Sequence, residues 1–202
     1  MHVNTAPRKE KVEFKKRSAR YLWIFNTKPK KEKENFAIVS TDESFLFYYS
    51  LVRRVWTGEI RPIVRVTGSH KHSCLFGAIG LEGKEIFRQE YVFNGDAFLD
   101  FLKIIPHKFP KCYLFMDKAP QHYKSKKVKD YLKENKDTLI PVYLPTASPE
   151  FMILEGMWNI AKQGFLVLEY YSSFEDFRQK ISKYFRTKRF GLNMRNYLLR
   201  AV

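Results

Sequence analysis

Three acidic residues lie where an α/β chain gathers its chemistry. Asp42 follows the apolar run FAIVST (36–41), Asp117 follows CYLFM (112–116), and Glu155 falls on a helix expected after Ser148-Pro149-Glu150. In open α/β sheets, functional groups collect beyond the strand ends. One carboxylate at such a place is more often a turn or cap residue; three together are what raises the case for a site. Brought into one cleft they would suit hard divalent cations, Mg2+ with Mn2+ as a substitute. Two such ions can stabilise the attacking and leaving oxygens of a phosphodiester.

The elements that must hold these residues are legible from periodicity. From Asn35 onward, strand-like runs alternate with turn signals. The first is taken to end at Asp42. Ser73–Leu81 and Lys84–Phe93 flank Glu82-Gly83, which reads as a hairpin turn between antiparallel neighbours. Phe98, Phe101, Leu102 and Ile105 recur at helical spacing after the cap region Asn94-Gly95-Asp96. The strand ending at Asp117 follows, then one polar helix over about 121–134, a strand at 138–143, and a helix starting near Ser148, with Pro149 in its first turn. Three leading strands, crossover units and C-terminal helices predict an α/β three-layer domain over residues 35–202. Residues 1–34 read as a basic arm or linker. Part of it is either helical, with the patch Tyr21–Phe25 docked on the domain, or a disordered tail.

The chain has 202 residues, 45% of them hydrophobic, enough for one substantial core. Its 37 Lys and Arg against 21 Asp and Glu give a formal charge of +16, which favours a polyanionic partner. No run approaches the roughly 20 apolar residues of a membrane span, and the N-terminus has no apolar signal-peptide core. A location inside the cell, in the cytoplasm at the nucleoid, is expected. Cys74 and Cys112 have neither CxxC nor zinc-finger spacing and are expected to be two buried thiols.

Five motifs occur in a family's order: Thr41-Asp42-Glu43-Ser44, Arg54-Val-Trp56, Met116-Asp117-Lys-Ala-Pro-Gln-His122, Leu144-Pro-Thr-Ala-Ser-Pro-Glu150, and Glu155-Gly-Met-Trp158 with Lys162 beyond. The chain resembles the catalytic domain of mariner-like DDE transposases, in particular the branch found in prokaryotic insertion sequences. The resemblance spans about residues 36–165, and the 37 residues between Asp117 and Glu155 match the usual spacing. It implies an RNase H-like fold, with a mixed central sheet flanked by helices. Asp42, Asp117 and Glu155 become the catalytic, metal-binding acids, with Asp42 bridging two Mg2+ ions. The implied activity is divalent-metal-dependent DNA cleavage and strand transfer, in DNA transposition and recombination. Double-stranded DNA is the implied partner, and a homodimer the implied assembly. Two positions depart from the pattern: Lys118 stands where Asn is usual, and Phe151-Met-Ile-Leu154 replaces Leu-Asn-Pro-Ile.

Further candidates follow from charge and place. Arg53, Arg54, Lys118, His122, Lys124 and Lys162 are candidate DNA contacts, and the basic groups around Lys126, Lys127 and Lys129 and over 180–189 could line a channel. His122 is otherwise a structural hydrogen-bonding histidine. Trp56 either stacks on DNA or is buried, while Trp158 is read as an anchor for the Glu155 helix. His70 and His72 read as exposed and polar. Only about 34 residues precede the first strand, too few for helix-turn-helix modules, so recognition of element ends is expected to be absent or to come from a separately encoded chain. The competing readings are an inactive transposase remnant that binds DNA or regulates a full-length enzyme, and another RNase H-like nuclease acting on branched DNA or RNA–DNA hybrid.

Overall fold

The computed structural model describes residues 8–27, 36–49, 63, 65, 67–146, 148–166, 169–192 and 194, the side chains at 17, 18, 20–27 and 150 excepted. Arg53, Arg54, Trp56 and the side chains of the Tyr21–Phe25 patch lie outside the described residues.

Five strands form one sheet: β1 (Ala37–Phe47), β2 (His72–Gly80), β3 (Glu85–Glu90), β4 (Cys112–Met116) and β5 (Leu139–Tyr143), ordered β3-β2-β1-β4-β5. β1–β2 and β2–β3 are antiparallel, whereas β1–β4 and β4–β5 are parallel. Helices cover both faces. α1 (Arg8–Thr27), α5 (Ile153–Leu166) and α6 (Phe174–Thr187) meet one face through Phe14, Trp158 and Phe185; α2 (Gly95–Lys108) and α4 (Lys126–Glu134) meet the other through Phe98, Phe101 and Val128. This is the three-layer arrangement expected. The hairpin also forms: Gly83 adopts φ 81° and donates to Gly80 O, and Gly80 N–H donates to Lys84 O. Asn94 caps α2 through its side chain, accepting from Ala97 N–H at 2.9 Å.

Three local expectations need correction. The first strand does not end at Asp42. It runs to Phe47 because β2 pairs with it from Val39↔Gly80 to Phe47↔His72, whereas its pairing with β4 stops at Ser40↔Phe115. The single polar helix over 121–134 is two, a short α3 (Pro120–Tyr123) and α4, separated by Lys124 and Ser125. The helix bearing Glu155 does not start near Ser148. A 3-10 turn over Pro149–Phe151 comes first, with Ser148 Oγ turned to Thr146 O instead of capping, and α5 begins at Ile153.

Phe14 is a core residue with no warning in its charged surroundings. Its ring is fully buried, 4.9 Å from Phe151 and 6.1 Å from Phe115 between centres, and ties α1 to the sheet. Cys74 and Cys112 are free and buried. They lie on β2 and β4 with β1 between them, and Cys74 is level with Phe45 whereas Cys112 is level with Ala37, so about 26 Å along the strand direction separates them, far beyond disulfide reach.

Candidate active site

The unequal pairing of β1 makes the site. Past Ser40 its β4 side opens, because β4 ends at Met116. Continuing the same register puts Asp42 level with Asp117, and alternation turns Asp42 to the α5 layer with Ile38 and Ser40. A cleft of about 430 Å³ lies there, lined by Asp42, Asp117 and Glu155 together with Glu43, Lys118, Trp158 and Lys162.

Asp42 is part-buried, and its Oδ2 accepts a hydrogen bond from Trp158 Nε1 at 2.9 Å. Burial, then the charges of Glu43 and Asp117, push its carboxyl up to about 8, against the opposing Trp158 N–H. At neutral pH the metal-free site therefore holds a proton on Asp42. Trp158 reaches this position because Gly77, opposite Asp42 in register, leaves room; a Cβ on Gly77 would stand 2.6 Å from Leu154 and 2.8 Å from the indole.

Asp117 Oδ1 accepts from Ala119 N–H at 2.9 Å and lies 2.7 Å from His122 Nδ1 as a charge contact, while the hydrogen bond of Nδ1 is to the Asp117 backbone O at 3.3 Å. Burial works to raise this carboxyl, but the His122 hydrogen bond and charge, with the Ala119 N–H, outweigh it and hold it below the ordinary carboxylate value. Burial works to lower His122, whereas its contacts with Asp117 and Glu43 push it up to about 10. Glu155 sits exposed in the first turn of α5, where the helix dipole favours a negative charge.

The fit to a divalent cation rests on the donors. All three acids line the cleft and offer hard oxygens, and the side-chain contacts of Asp117 with Ala119 and His122 are both at Oδ1, leaving Oδ2 for a cation. Among the described residues, the group whose ligand atoms lie within 4.8 Å of one another is Glu43, Asp117 and His122. Sequence reading missed Glu43. Its signal was adjacency to Asp42, masked because strand alternation sends neighbouring side chains to opposite faces. The indole bond to Asp42 was also missed, since spacing along α5 carries no information about which strand Trp158 faces.

The structure brings only some of the predicted basic residues to the cleft. Lys118 lines it and pairs with Glu10 of α1 at 3.1 Å; Lys162 lines it from α5. Lys124 lies outside the lining, its ammonium 5.7 Å from the Tyr123 ring centre. Lys126, Lys129, Lys183, Arg186, Lys188 and Arg189 are exposed, and Lys127 and Lys180 pair with Asp96 and Asp176. His70 is exposed as expected, but His72 is half-buried, its ring edge-on to Phe45.

No curated protein matches the sequence. Solved structures do. The mariner Mos1 paired-end complex with Mg superposes with a TM-score of 0.66 at 15% identity, covering 98% of this chain and 60% of that one. The Mos1 strand transfer complex gives 0.64 at 15%, again with 98% and 60% covered. The catalytic domain of Mos1 mariner transposase gives 0.59 at 15%, with 96% and 87% covered. The chain thus spans about 60% of the length of the Mos1 chains in those complexes. The shared architecture is the RNase H-like fold. By sequence, residues 37–178 match the DDE superfamily endonuclease family. That stretch holds the whole sheet together with Asp42, Asp117 and Glu155, and the chain belongs to the DDE superfamily endonuclease family.

Proposed function

We propose that this chain is a transposase catalytic domain of the prokaryotic insertion-sequence branch, cutting DNA and joining strands with Asp42, Asp117 and Glu155 as its metal-binding acids. The observation that carries this is the convergence of three acids, from β1, the end of β4 and the first turn of α5, on one cleft with Lys118 and Lys162 at its margin. Two divalent ions, when bound, would stabilise charge on the attacking and leaving oxygens of the phosphodiester. Asp117 would offer Oδ2, its other oxygen being held by Ala119 and His122. Asp42 would ligate after giving up its proton, with Trp158 fixing Oδ2. The ammonium groups of Lys118 and Lys162 would meet backbone phosphates. The substrate would be double-stranded element ends and target, bound by a homodimer. The domain would be 35–202, with 1–34 an N-terminal arm.

The departure at Phe151–Leu154 is compatible with activity, since all four residues are buried and hold the start of α5 by packing. A second reading, an inactive remnant that binds DNA or regulates a full-length transposase, is favoured by Lys118, which brings into the cleft positive charge that a metal would otherwise supply.

Nicking of supercoiled plasmid in Mg2+ or Mn2+, compared across wild type, Asp42→Ala, Asp117→Ala and Glu155→Ala, separates the two. Metal-dependent nicking lost in each variant supports the enzyme. DNA binding without nicking in the wild type moves the assignment to the remnant.

A further inference from the structure

Glu43 follows Asp42 in the chain, so strand alternation sends its side chain to the opposite face of β1, away from Trp158. There it meets His122. That ring is fully buried, with its centre 4.1 Å from that of Phe98. Its Nε2 lies 3.2 Å from Glu43 Oε2, a charge contact not aligned as a hydrogen bond, and neither atom has another partner. Its Nδ1 lies 2.7 Å from Asp117 Oδ1. A buried carboxylate oxygen without a full hydrogen bond is costly. Packing alone would favour an apolar side chain at this position.

We propose that Glu43 is a positioning residue: by holding the far edge of the His122 ring, it keeps Nδ1 on Asp117 Oδ1 and so keeps Asp117 Oδ2 turned to the cation. This rests on reading Asp117 as a metal ligand. Asp117 follows the last residue of β4 and its side chain is about half exposed, so strand pairing does not fix its carboxylate. Ala119 N–H and His122 Nδ1 both hold Oδ1 and prevent the two oxygens from exchanging places. His122 belongs to a helix of only four residues, and contact with Phe98 restrains its ring plane without choosing the direction of its nitrogens. The Asp117 backbone O, 3.3 Å from Nδ1, and Glu43, 3.2 Å from Nε2, make that choice from the two edges of the ring.

The test is Mn2+ titration followed by electron paramagnetic resonance on the full chain, for wild type, Glu43→Leu, Glu43→Gln and Asp117→Asn. Melting temperature in EDTA and the His122 ring N–H signals of the metal-free protein are recorded alongside. Removing an outer partner of a ligand typically weakens metal binding by about 10–100-fold, and that loss is expected for Glu43→Leu with its fold intact. Its His122 Nδ1–H signal should broaden or vanish. Glu43→Gln, which keeps an acceptor for Nε2, should recover most of the affinity and the signal. Wild-type affinity and an unchanged ring signal in Glu43→Leu would overturn the proposal, as would a Glu43→Gln variant no better than Glu43→Leu. Failure of the underlying reading looks different: Asp117→Asn would then bind Mn2+ as wild type does, or the wild type would not bind it, and the proposal would fall with it.

Discussion

Trp158 donates to Asp42 while packing its ring against Phe87 and Phe185, so one side chain serves the core and the acid together. Trp158→Phe keeps most of the apolar contact and removes the donor. A stability loss of about 1–3 kcal/mol is expected from the orphaned carboxylate oxygen, with a larger proportional loss in plasmid nicking; thermal melts and nicking rates on the same preparation check this. Protons report on the same cluster. Asp42 is raised from 3.8 to about 8 and His122 from 6.5 to about 10, so each binds a proton more tightly in the folded state. Their contributions to stability are fully present below 3.8 and 6.5 and are lost as pH rises through about 8 and about 10. In EDTA, melting temperature should fall with rising pH, most steeply where the two windows overlap between 6.5 and about 8, and Asp42→Asn should flatten that fall; an equally steep fall in the variant refutes the assignment. That these three acids line one cleft was legible because Asp117 follows and Glu155 opens an element with a clear apolar pattern, and Asp42 follows an apolar run within β1. Glu43 was not, because its partner His122 is reached across space from a different element.

At the scale of elements, β2 contributes an absence. Gly77 leaves the space that Leu154 and Trp158 fill. Gly77→Ala adds a methyl group where no room exists, and overpacking of this kind costs about 1–3 kcal/mol. The expected signature is a lowered melting temperature with a changed indole fluorescence and reduced nicking, whereas Gly83→Ala in the turn should leave the fluorescence alone. The β2–β3 pairing and the α2 cap were legible because they rest on local turn and cap chemistry at Gly83 and Asn94. The start of α5 was not. Ser148-Pro149 is a good helix opening by composition, but burial of Phe151 and Met152 pulls the segment into a 3-10 turn first. α1 was likewise hard to read, since Phe14 is the one described ring on a strongly charged helix. Phe14→Ala should lower stability by about 3–5 kcal/mol, measured by denaturant titration; a loss below about 1 kcal/mol would mean that α1 is not part of the cooperative unit.

For the whole molecule the governing quantity is charge. With +16 overall, exposed Lys and Arg on α4 and α6, and Lys118 and Lys162 at the cleft, DNA affinity should be steeply salt-dependent. If some 6–10 phosphates are contacted, binding measured by fluorescence anisotropy should weaken by about 10³–10⁵-fold between 50 and 200 mM salt. A change of less than tenfold would mean that the surface charge is not used for DNA.

The sheet is covered on both faces, and β1 carries apolar residues for each, Ile38 toward one layer and Val39 toward the other. Sliding β1 by one residue would exchange two side chains of nearly equal greasiness, so the oily interior barely distinguishes the correct alignment from its neighbour. The same slide would send Asp42 to the wrong layer, out of register with Gly77 and away from the indole N–H that Gly77 makes room for. Trp158 and its matching hollow thus act as a key and keyway for strand alignment, and a molecule that closes on them has its chemistry assembled by the same event.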